Sequence, residues 1–472
     1  MSNNNNAKAI KSGIWYTISN FLLKAIGFLT TPIFTRLLTQ AEFGEYSNFA
    51  SWLNILTIIV TLNMEASLIS AKYDYKDRFD NYIYSVLSLS TASVMVWAVV
   101  LNVFAQQATS LLSMDRIYIN CALVYLLLHP AVQLFQSRER YQYRYKMSVA
   151  LSLGMSLGTA LLSVILVLAL NDRLTGRVLG HVLPTLVVGG MIYVFLMIKG
   201  KRIDVKCWKY AIRICLPYIP HMLSLTLLNS MDRVMIKQIC GATETALYSL
   251  AYSCGTIITL LISSMNGAFV PWLGDKLNEK DYGAIRGFSR IYISLFCVLA
   301  LGIMLATPEV LLILGGKKYA EAVYIIPPIA MGCVCQFIYT MFVNVEQFSK
   351  KTVGMAIASA SAALLNYILN SILIPRYGYV AAAYTTLASF LWLLIAHMFL
   401  VYRLKLSQVY EYRFVAGVVA LMCGVTVAVN WLYTNTLLRW IVIFAYAAIL
   451  LAILWKNKSK VQKLLAGLRK KA

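Results

Sequence analysis

The chain has 472 residues, of which 60% are hydrophobic and only 13% are charged, and its mean hydropathy is +0.70. Soluble globular domains carry about 25% charged residues, so the composition excludes an ordinary soluble protein. The formal net charge of +23 would suit a nucleic-acid partner, but the basic residues follow the pattern of a membrane protein instead.

Apolar runs of about twenty residues recur along the whole chain, and each is long enough to cross a bilayer as an α-helix. The connections between them are too short to hold a soluble domain of ordinary size. We therefore predict an all-α polytopic membrane protein with fourteen transmembrane helices. The predicted spans are residues 13–38, 46–70, 81–105, 116–137, 146–170, 175–198, 211–236, 243–270, 288–307, 319–347, 352–374, 378–402, 413–431 and 439–456.

Lys and Arg residues concentrate in alternate connections. If the N-terminus is cytoplasmic, most of the 42 Lys and Arg residues lie on the cytoplasmic side. This asymmetry is the positive-inside rule, and it predicts that both termini are cytoplasmic. The basic connection 199–209 is then chiefly a topology determinant, with binding of anionic lipid as a smaller role, and no nucleic-acid partner is expected.

Two pairs of segments indicate an internal repeat. "AEFGEYSNFAS" (41–51) resembles "TETALYSLAYS" (243–253), and "TGRVLG" (175–180) resembles "YGYVAA" (377–382), both at a separation of 202 residues. Spans 1–6 would then repeat as spans 7–12, and an even number of spans makes the repeats parallel, related by an axis along the membrane normal. The predicted division is an N-terminal lobe at 1–204, a C-terminal lobe at 205–405, and two further helices with a basic cytoplasmic tail at 406–472.

Polar residues line one face of span 1 at steps of three or four, and the positions 202 residues later form a similar stripe in span 7. A charge near the middle of a bilayer usually faces protein or water, so we predict a hydrated cavity between the two lobes. Packing of helices is the alternative for the hydroxyl groups, and snorkelling is the alternative for cations near the span ends. The candidate substrate-binding residues are Asn20, Lys24, Arg36, Asn229, Arg233 and Lys237.

Three further residues are candidates for ion coupling or for ion pairs. Glu65 lies toward the inner end of span 2, where a structural ion pair is the alternative. Asp232 lies about 100° around the helix from Arg233 and can pair with that residue or with a neighbouring helix. His221 lies beside two prolines that should kink span 7, and a packed histidine is the alternative for it.

Motifs of catalysis and metal binding are not found in the sequence. It has no Walker A pattern, zinc motif or nucleophile elbow, and none of its nine cysteines forms a CxxC pair. The connections predicted to lie outside are short, whereas a membrane glycosyltransferase would present a sizeable catalytic loop. We predict a transporter without catalytic residues, metal site or cofactor, in which H⁺ or Na⁺ is the candidate coupling ion.

Three segments resemble known proteins. Residues 20–49 resemble the opening of Wzx-type polysaccharide flippases, residues 231–253 resemble its second-half counterpart, and residues 374–386 resemble the start of their twelfth helix. These flippases belong to the multidrug/oligosaccharidyl-lipid/polysaccharide (MOP) exporter superfamily. The resemblance implies two pseudo-symmetric six-helix lobes in a V-shaped body that works by alternating access.

The same resemblance implies a substrate and partners. The substrate would be an undecaprenyl-pyrophosphate-linked oligosaccharide, an O-antigen or capsule repeat unit, turned from the cytoplasmic to the periplasmic leaflet of the bacterial inner membrane. A polysaccharide polymerase and a chain-length regulator would be the partner proteins. A lipid-II flippase and a cation-coupled small-molecule exporter of the same superfamily are the alternatives, and a pore or scaffold of the polysaccharide machinery is a third.

Overall fold

A computed structural model describes the chain at residues 2–142, 144–349 and 353–456, without the side chains of residues 2–14, 16, 17 and 454 and of eight positions between 256 and 268. All regular structure within these ranges is helical. The α-helices are α1 Ser2–Leu37, α2 Gln40–Val60, α3 Leu68–Asp74, α4 Phe79–Val103, α5 Ala105–Leu112, α6 Arg116–Tyr141, α7 Tyr145–Ala169, α8 Arg173–Gly200, α9 Val205–Ile239, α10 Ala242–Asn278, α11 Tyr282–Leu305, α12 Thr307–Gly315, α13 Ile326–Phe348, α14 Val353–Tyr377, α15 Tyr379–Arg403, α16 Tyr412–Leu432 and α17 Thr436–Lys456. Most of the basic tail, residues 457–472, lies outside the described residues.

Twelve of the described helices are long and apolar enough to cross a membrane, and a thirteenth is added if α2 and the bent segment Met64–Asp74 form one span. The two parts of that span meet at 47°. The predicted eighth span corresponds to α10, which has 37 residues and includes eight of the undescribed side chains. The chain is therefore a multi-pass, all-helical membrane protein as predicted, but the count of fourteen spans is not confirmed.

Helix boundaries repeat with the separation found in the sequence. α1 ends at Leu37 and α9 at Ile239, α2 begins at Gln40 and α10 at Ala242, and the short helices α5 and α12 begin 202 residues apart. The second motif is less regular, because Gly176 lies inside α8 whereas Gly378 precedes α15 with a φ of +67°. The repeat is thus strongest in the first two spans of each half.

The apolar core consists of several clusters, and two of them cross the predicted lobe boundary. One cluster packs Phe34 and Phe43 of the N-terminal half (α1–α8) against Met235 and Tyr248 of the C-terminal half (α9–α15). Another packs the first turns of α9, including Cys215, against the bend after α2 and against α4 and α6. The division at residue 204 stays a prediction, since α9 packs against both halves.

The two halves are fastened together where α1, α5, α9 and α12 end, and we call this region the closed end. Glu45 and Lys237 form an ion pair there, and the Gln40 amide donates to the carbonyl of Lys318 at 2.7 Å. Gly44 lies so close to α10 that a Cβ would be 1.8 Å from the carbonyl oxygen of Ala242. A larger residue at position 44 would therefore force the halves apart.

We call the opposite end, where α8 connects to α9, the linker end. The halves also contact each other there, but through different helices of the N-terminal half. The described contacts come mainly from the first turns of α9. The Tyr210 hydroxyl donates to Asp74 at 2.5 Å, and the Trp208 indole N–H donates to the carbonyl of Ser85 at 2.7 Å. The described contacts between the halves thus involve the start of α9 at the linker end, and the end of α9, the start of α10 and the segment after α12 at the closed end.

Candidate functional site: a cavity between the two halves

Two adjoining cavities of about 460 and 240 Å³ lie between the two halves, and a third, of about 410 Å³, is lined by residues of the N-terminal half alone. The cavities of 410 and 460 Å³ share Tyr125, His129 and His181, and those of 410 and 240 Å³ share Arg177, so they adjoin one another, and we call them together the central cavity. Helices α1, α2, α6, α7 and α8 form most of its wall, and α9 and α10 complete it. The space therefore extends from the N-terminal half to the boundary with the C-terminal half.

Arg177 is the cation of the N-terminal side of the cavity. Its guanidinium carbon lies 3.7 Å from the ring centre of Phe34 and 4.2 Å from that of Tyr46. One terminal nitrogen donates to the hydroxyl of Ser163 at 2.7 Å, whereas Nε is buried without a partner among the described residues. Two aromatic faces stabilise the charge, and the guanidinium keeps donors available for a ligand.

Aromatic and imidazole rings surround Arg177. The Tyr46 hydroxyl and Nδ1 of His181 are 2.9 Å apart. The rings of Tyr125 and His129 stack with centres 4.6 Å apart, and Tyr125 lies 5.4 Å from His181. Rings combined with polar edges suit a ligand that has both apolar faces and hydroxyl groups, as sugars do.

Arg233 and Asn229 belong to the C-terminal side of the cavity, and their contact with substrate stays a prediction. Arg233 lines the smallest of the three cavities together with Arg177, and its guanidinium lies over the Tyr252 ring at 4.5 Å. Asn229 lines the largest, where its carbonyl oxygen accepts a hydrogen bond from the Tyr252 hydroxyl at 3.0 Å. Each half thus contributes one arginine, held by an aromatic ring.

Lys24 and Asn20 lie further along α1, toward the linker end. Both side chains are exposed, and Lys24 lies one turn before Gly27 and two turns before Thr31, which line the cavity. The described structure gives Lys24 no carboxylate partner, so it extends the stripe of span 1 toward the open side. The substrate-binding role of Lys24 and Asn20 stays a prediction.

Arg36 and Lys237 lie at the closed end, away from the residues that line the cavity. Arg36 donates to the carbonyl of Ile313 at 3.0 Å, which satisfies the end of α12, and Lys237 pairs with Glu45. Both residues therefore join the two halves. Their predicted contact with substrate remains untested, and their observed contacts assign them to the closed end.

Asp232 lies inside the C-terminal half and is 1% exposed. Its carboxylate accepts hydrogen bonds from the hydroxyls of Tyr248 and Thr386, both at 2.6 Å, and from the amide of Asn370 at 2.7 Å. Asn370 is in turn bonded to Asn366 at 3.1 Å. Among the described residues no cation pairs with Asp232, because the adjacent Arg233 points to the cavity.

Glu65 and His221 lie closer to the linker end. Glu65 is in the bend after α2 and accepts a long hydrogen bond of 3.4 Å from the hydroxyl of Ser137. Nδ1 of His221 is buried without a described hydrogen-bond partner. Helix α9 continues through Pro217 and Pro220. Coupling roles for Glu65 and His221 stay predictions.

The cavity is cationic. Of the described residues that line the three cavities, none carries a carboxylate, whereas both arginines face the space. Low-dielectric walls strengthen the field of these charges. Two guanidinium groups suit the oxygens of a phosphate or carboxylate group, and the described residues form no cluster that could hold a metal ion.

Sequence comparisons identify related proteins. A family model described as "polysaccharide biosynthesis protein" matches residues 9–276, which is more than half of the chain. A second model, MatE, matches residues 217–372. The chain is 22% identical over 286 residues to the Lsg locus putative protein 1 of Haemophilus influenzae, covering 58% of this chain and 68% of that protein.

Structural comparisons identify the fold. A lipid II flippase MurJ in an inward closed conformation matches with a TM-score of 0.71 at 13% identity, covering 93% of this chain and 99% of that one. An inward-facing multidrug resistance MATE family transporter matches with a TM-score of 0.63 at 14% identity, covering 82% and 95%. A MOP superfamily transporter from Pyrococcus furiosus matches at 0.56 and 15%, covering 85% and 96%. These structural comparisons confirm the predicted MOP superfamily fold.

Proposed function

Because the chain belongs to the polysaccharide biosynthesis protein family of the MOP superfamily, we propose that it is a flippase for an undecaprenyl-pyrophosphate-linked oligosaccharide. The substrate would be an O-antigen or capsule repeat unit, moved from the cytoplasmic to the periplasmic leaflet of the inner membrane. The observation that carries this proposal is the cavity without carboxylates that holds Arg177 and Arg233.

The two arginines suit a pyrophosphate. They come from different halves and line the same cavity, so one anion can contact both. Relative motion of the halves would change the distance between the guanidinium groups and hence the affinity for the anion. Binding and release would then follow the alternating access of the cavity.

The rings beside Arg177 suit the oligosaccharide. Tyr125 and His181 lie between the two larger cavities and offer faces for stacking and polar edges for hydroxyl groups. The lipid tail would remain in the bilayer, where the open side of the cavity meets the membrane. The three cavities thus leave separate places for the charged group and the sugars.

Asp232 is the residue that we propose for ion coupling. A buried carboxylate without a cation is costly, and the three neutral donors around it only partly offset that cost. A proton or Na⁺ would neutralise it, and the side-chain amides of Asn366 and Asn370 belong to the same hydrogen-bond network. Loss of the ion would destabilise this arrangement of α9, α14 and α15, which gives a physical route from ion binding to helix motion.

The cavity favours the flippase over a small-molecule exporter for cationic compounds. Positive charge from two arginines would repel an organic cation, and none of the described lining residues offers a carboxylate to attract one. The lipid-II flippase remains the alternative within the proposed class, because a pyrophosphate is common to both substrates. Polymerase and chain-length regulator stay proposed partners.

The proposal is tested in a strain that lacks the gene. We expect lipid-linked oligosaccharide to accumulate on the cytoplasmic face, as seen by a probe that reads the sugar from the periplasm only. Wild-type protein should restore periplasmic exposure, whereas Lys24→Ala and Arg233→Ala should abolish it although both variants reach the membrane. Lys24→Arg should retain much of the transport, because charge matters more than shape there.

A matched control separates cavity charge from overall charge. Arg213→Ala removes an exposed cation of α9 that does not line the cavity, and it should complement like the wild type. Normal surface polysaccharide in the deletion strain would overturn the proposed substrate. Wild-type transport by both Lys24→Ala and Arg233→Ala would overturn the role of the cavity.

A further inference from the structure

A further cavity lies at the linker end of the N-terminal half, and it shares no lining residue with the central cavity. It has a volume of about 690 Å³ and lies between the segment 76–81, which precedes and opens α4, and the segment 199–202, which ends α8. Five of its lining residues are basic and two are acidic. The basic residues are Lys76, Arg78, Lys199, Lys201 and Arg202, and the acidic residues are Asp77 and Asp80.

The two carboxylates of this basic pocket neutralise less of its positive charge than their number suggests. Asp80 is occupied by the buried Arg138, whose Nε and Nη2 lie 2.7 and 3.1 Å from the carboxylate oxygens. Arg138 also contacts Glu139 at 2.5 Å. Of the lining carboxylates, only Asp77 is then left to oppose the five cations, and none of the five forms an ion pair in the described part of the chain. The lining residues therefore carry a net positive charge.

Specific contacts fix the backbone that surrounds the basic pocket. The Asn81 amide donates to the carbonyls of Gly200 at 3.0 Å and Arg202 at 2.5 Å. Gly200 packs so closely on Tyr84 that a Cβ would be 2.2 Å from its Cβ. Lys201 has a φ of +63°, a conformation that costs energy for a residue with a side chain. These contacts hold the turn so that its cations face the segment 76–81.

The position of the pocket favours a lipid headgroup as its ligand. Helix α4 begins at Phe79 and α8 ends at Gly200, so the pocket lies where two spans leave the apolar core of the bilayer. Phosphate groups of phospholipids lie at this depth. Exposed apolar residues such as Phe195 and Ile198 on the same end of α8 provide a surface for the acyl chains.

We propose that the basic pocket binds the phosphate group of an anionic phospholipid. This site goes beyond the proposed transport function, because it does not contact the central cavity. A bound headgroup would join the segment before α4 to the α8–α9 connection, which is the covalent link between the halves. The lipid would thereby stabilise the linker end from which α9 extends to the C-terminal half.

The proposal is tested on the purified full-length chain by native mass spectrometry with short-chain phosphatidylglycerol and, separately, short-chain phosphatidylcholine. We expect saturable binding of phosphatidylglycerol and weaker, non-saturating binding of phosphatidylcholine. The triple variant Arg78→Gln, Lys201→Gln, Arg202→Gln should lower the affinity for phosphatidylglycerol by about tenfold or more. Asn81→Ala removes no charge but releases the turn, and it should lower the affinity by about threefold.

The matched control is the triple variant Lys206→Gln, Lys209→Gln, Arg213→Gln. These three cations are exposed near the same end but do not line the pocket, so affinity should change by less than about twofold. Equal losses in the two triple variants would overturn the proposal in favour of diffuse surface charge. If the pocket variant does not fold, Arg202→Gln alone and Asn81→Ala decide, and unchanged affinity in both would overturn it.

A competition arm distinguishes a lipid headgroup from a soluble phosphate. Inorganic phosphate and pyrophosphate are added to the phosphatidylglycerol complex, and the proposal expects that the lipid remains bound at equal concentrations. Displacement of the lipid by either anion would overturn the assignment to phospholipid and identify a site for a soluble phosphate. The transport assay is not used here, so failure of this proposal is distinct from failure of the proposed function.

Discussion

The two halves of the molecule repeat the same helices but place their charged residues in different surroundings. In the N-terminal half, the cavity cation Arg177 is packed against aromatic rings, and Tyr125, His129 and His181 surround the space. In the C-terminal half, the cation Arg233 faces the same cavity, but the residue before it, Asp232, is buried in a network of hydroxyl and amide groups. We therefore propose that both repeats contact the substrate and that the C-terminal repeat also responds to an ion.

Asp232→Asn should have the largest effect, because it removes the only charge of the C-terminal network. An amide in place of the carboxylate brings donors against the hydroxyls of Tyr248 and Thr386 and cannot take up a proton or hold Na⁺. We expect that an imposed proton or Na⁺ gradient no longer accelerates transport in reconstituted vesicles. Substrate affinity should change by less than about threefold, since Asp232 does not line the cavity.

The control for this variant is Asp281→Asn. Asp281 is a half-exposed carboxylate of the C-terminal half that accepts a hydrogen bond from the backbone of Ala284 at 3.0 Å. Loss of its charge should leave the response to the gradient intact. A normal gradient response in Asp232→Asn would contradict the assignment of coupling to the C-terminal half.

Arg177→Gln should affect binding and leave coupling unchanged. The variant loses the cation between Phe34 and Tyr46 and its hydrogen bonds to a charged ligand. We expect KM for the lipid-linked substrate to rise by about tenfold or more, whereas the relative acceleration by the ion gradient persists. Both values come from initial rates in vesicles at several substrate densities.

Arg177→Lys distinguishes charge from geometry at the same position. Lysine keeps the charge but lacks the planar guanidinium, which can donate to the Ser163 hydroxyl and to a phosphate at the same time. Its KM should lie between those of the wild type and Arg177→Gln. An unchanged KM in Arg177→Gln would remove Arg177 from the substrate site.

Removal of the ion pair at the closed end should have a smaller effect. It should weaken the contact between the two halves. Glu45→Gln or Lys237→Gln removes a partly exposed pair, and such pairs contribute about 1 kcal/mol or less. The population that is closed at this end should fall by up to about fivefold, as measured by spin-label distances across the closed end. The exchange Glu45→Lys, Lys237→Glu should restore much of it, and equal distances in all variants would show that other contacts hold this end.

The smallest expected effect is the loss of unfolding free energy when the N-terminal cap of α8 is removed. The Thr175 hydroxyl and the backbone N–H groups of Thr175 and Leu174 donate to Asp172, and these bonds lower the pKa of its carboxyl group below the ordinary value of 3.8. The stabilisation is therefore present above that value and is lost as the pH falls through the lower folded-state pKa. Asp172→Ala should cost about 1 kcal/mol or less of unfolding free energy.

Thermal unfolding in detergent checks this prediction. The difference between wild type and Asp172→Ala should be constant near neutral pH and should shrink as the carboxyl group of the wild type is protonated. A difference that grows with falling pH would contradict the sign of the pKa shift.

The sequence predicts the parts of the fold that depend on local pattern. Apolar runs predict the helices, and shared motifs at a separation of 202 residues predict the matching starts of α2 and α10. The polar stripe of span 7 contains Arg233 and Asn229, which line the cavity, and their contact with substrate stays a prediction. In these cases the signal lies within one helix, where spacing alone fixes which residues share a face.

The sequence does not predict the contacts that depend on packing between helices. Arg177 is overlooked because it lies near the start of its predicted span and belongs to neither of the two polar stripes. Tyr46, Tyr125 and His181 are widely separated in the chain and meet only when three helices pack. Likewise, the partners of Asp232 come from α10, α14 and α15, and nothing in the local pattern around Asp232 identifies them.

The central claim is that both arginines of the cavity bind the substrate as it crosses the membrane. The most direct test is reconstitution of the purified chain in vesicles with a fluorescent undecaprenyl-pyrophosphate-linked oligosaccharide and an external reagent that quenches only the outer leaflet. Wild-type protein should bring the inner pool within reach of the reagent, and Arg177→Gln with Arg233→Gln should slow this by about a hundredfold or more. Equal rates for the double variant and the wild type would contradict the claim.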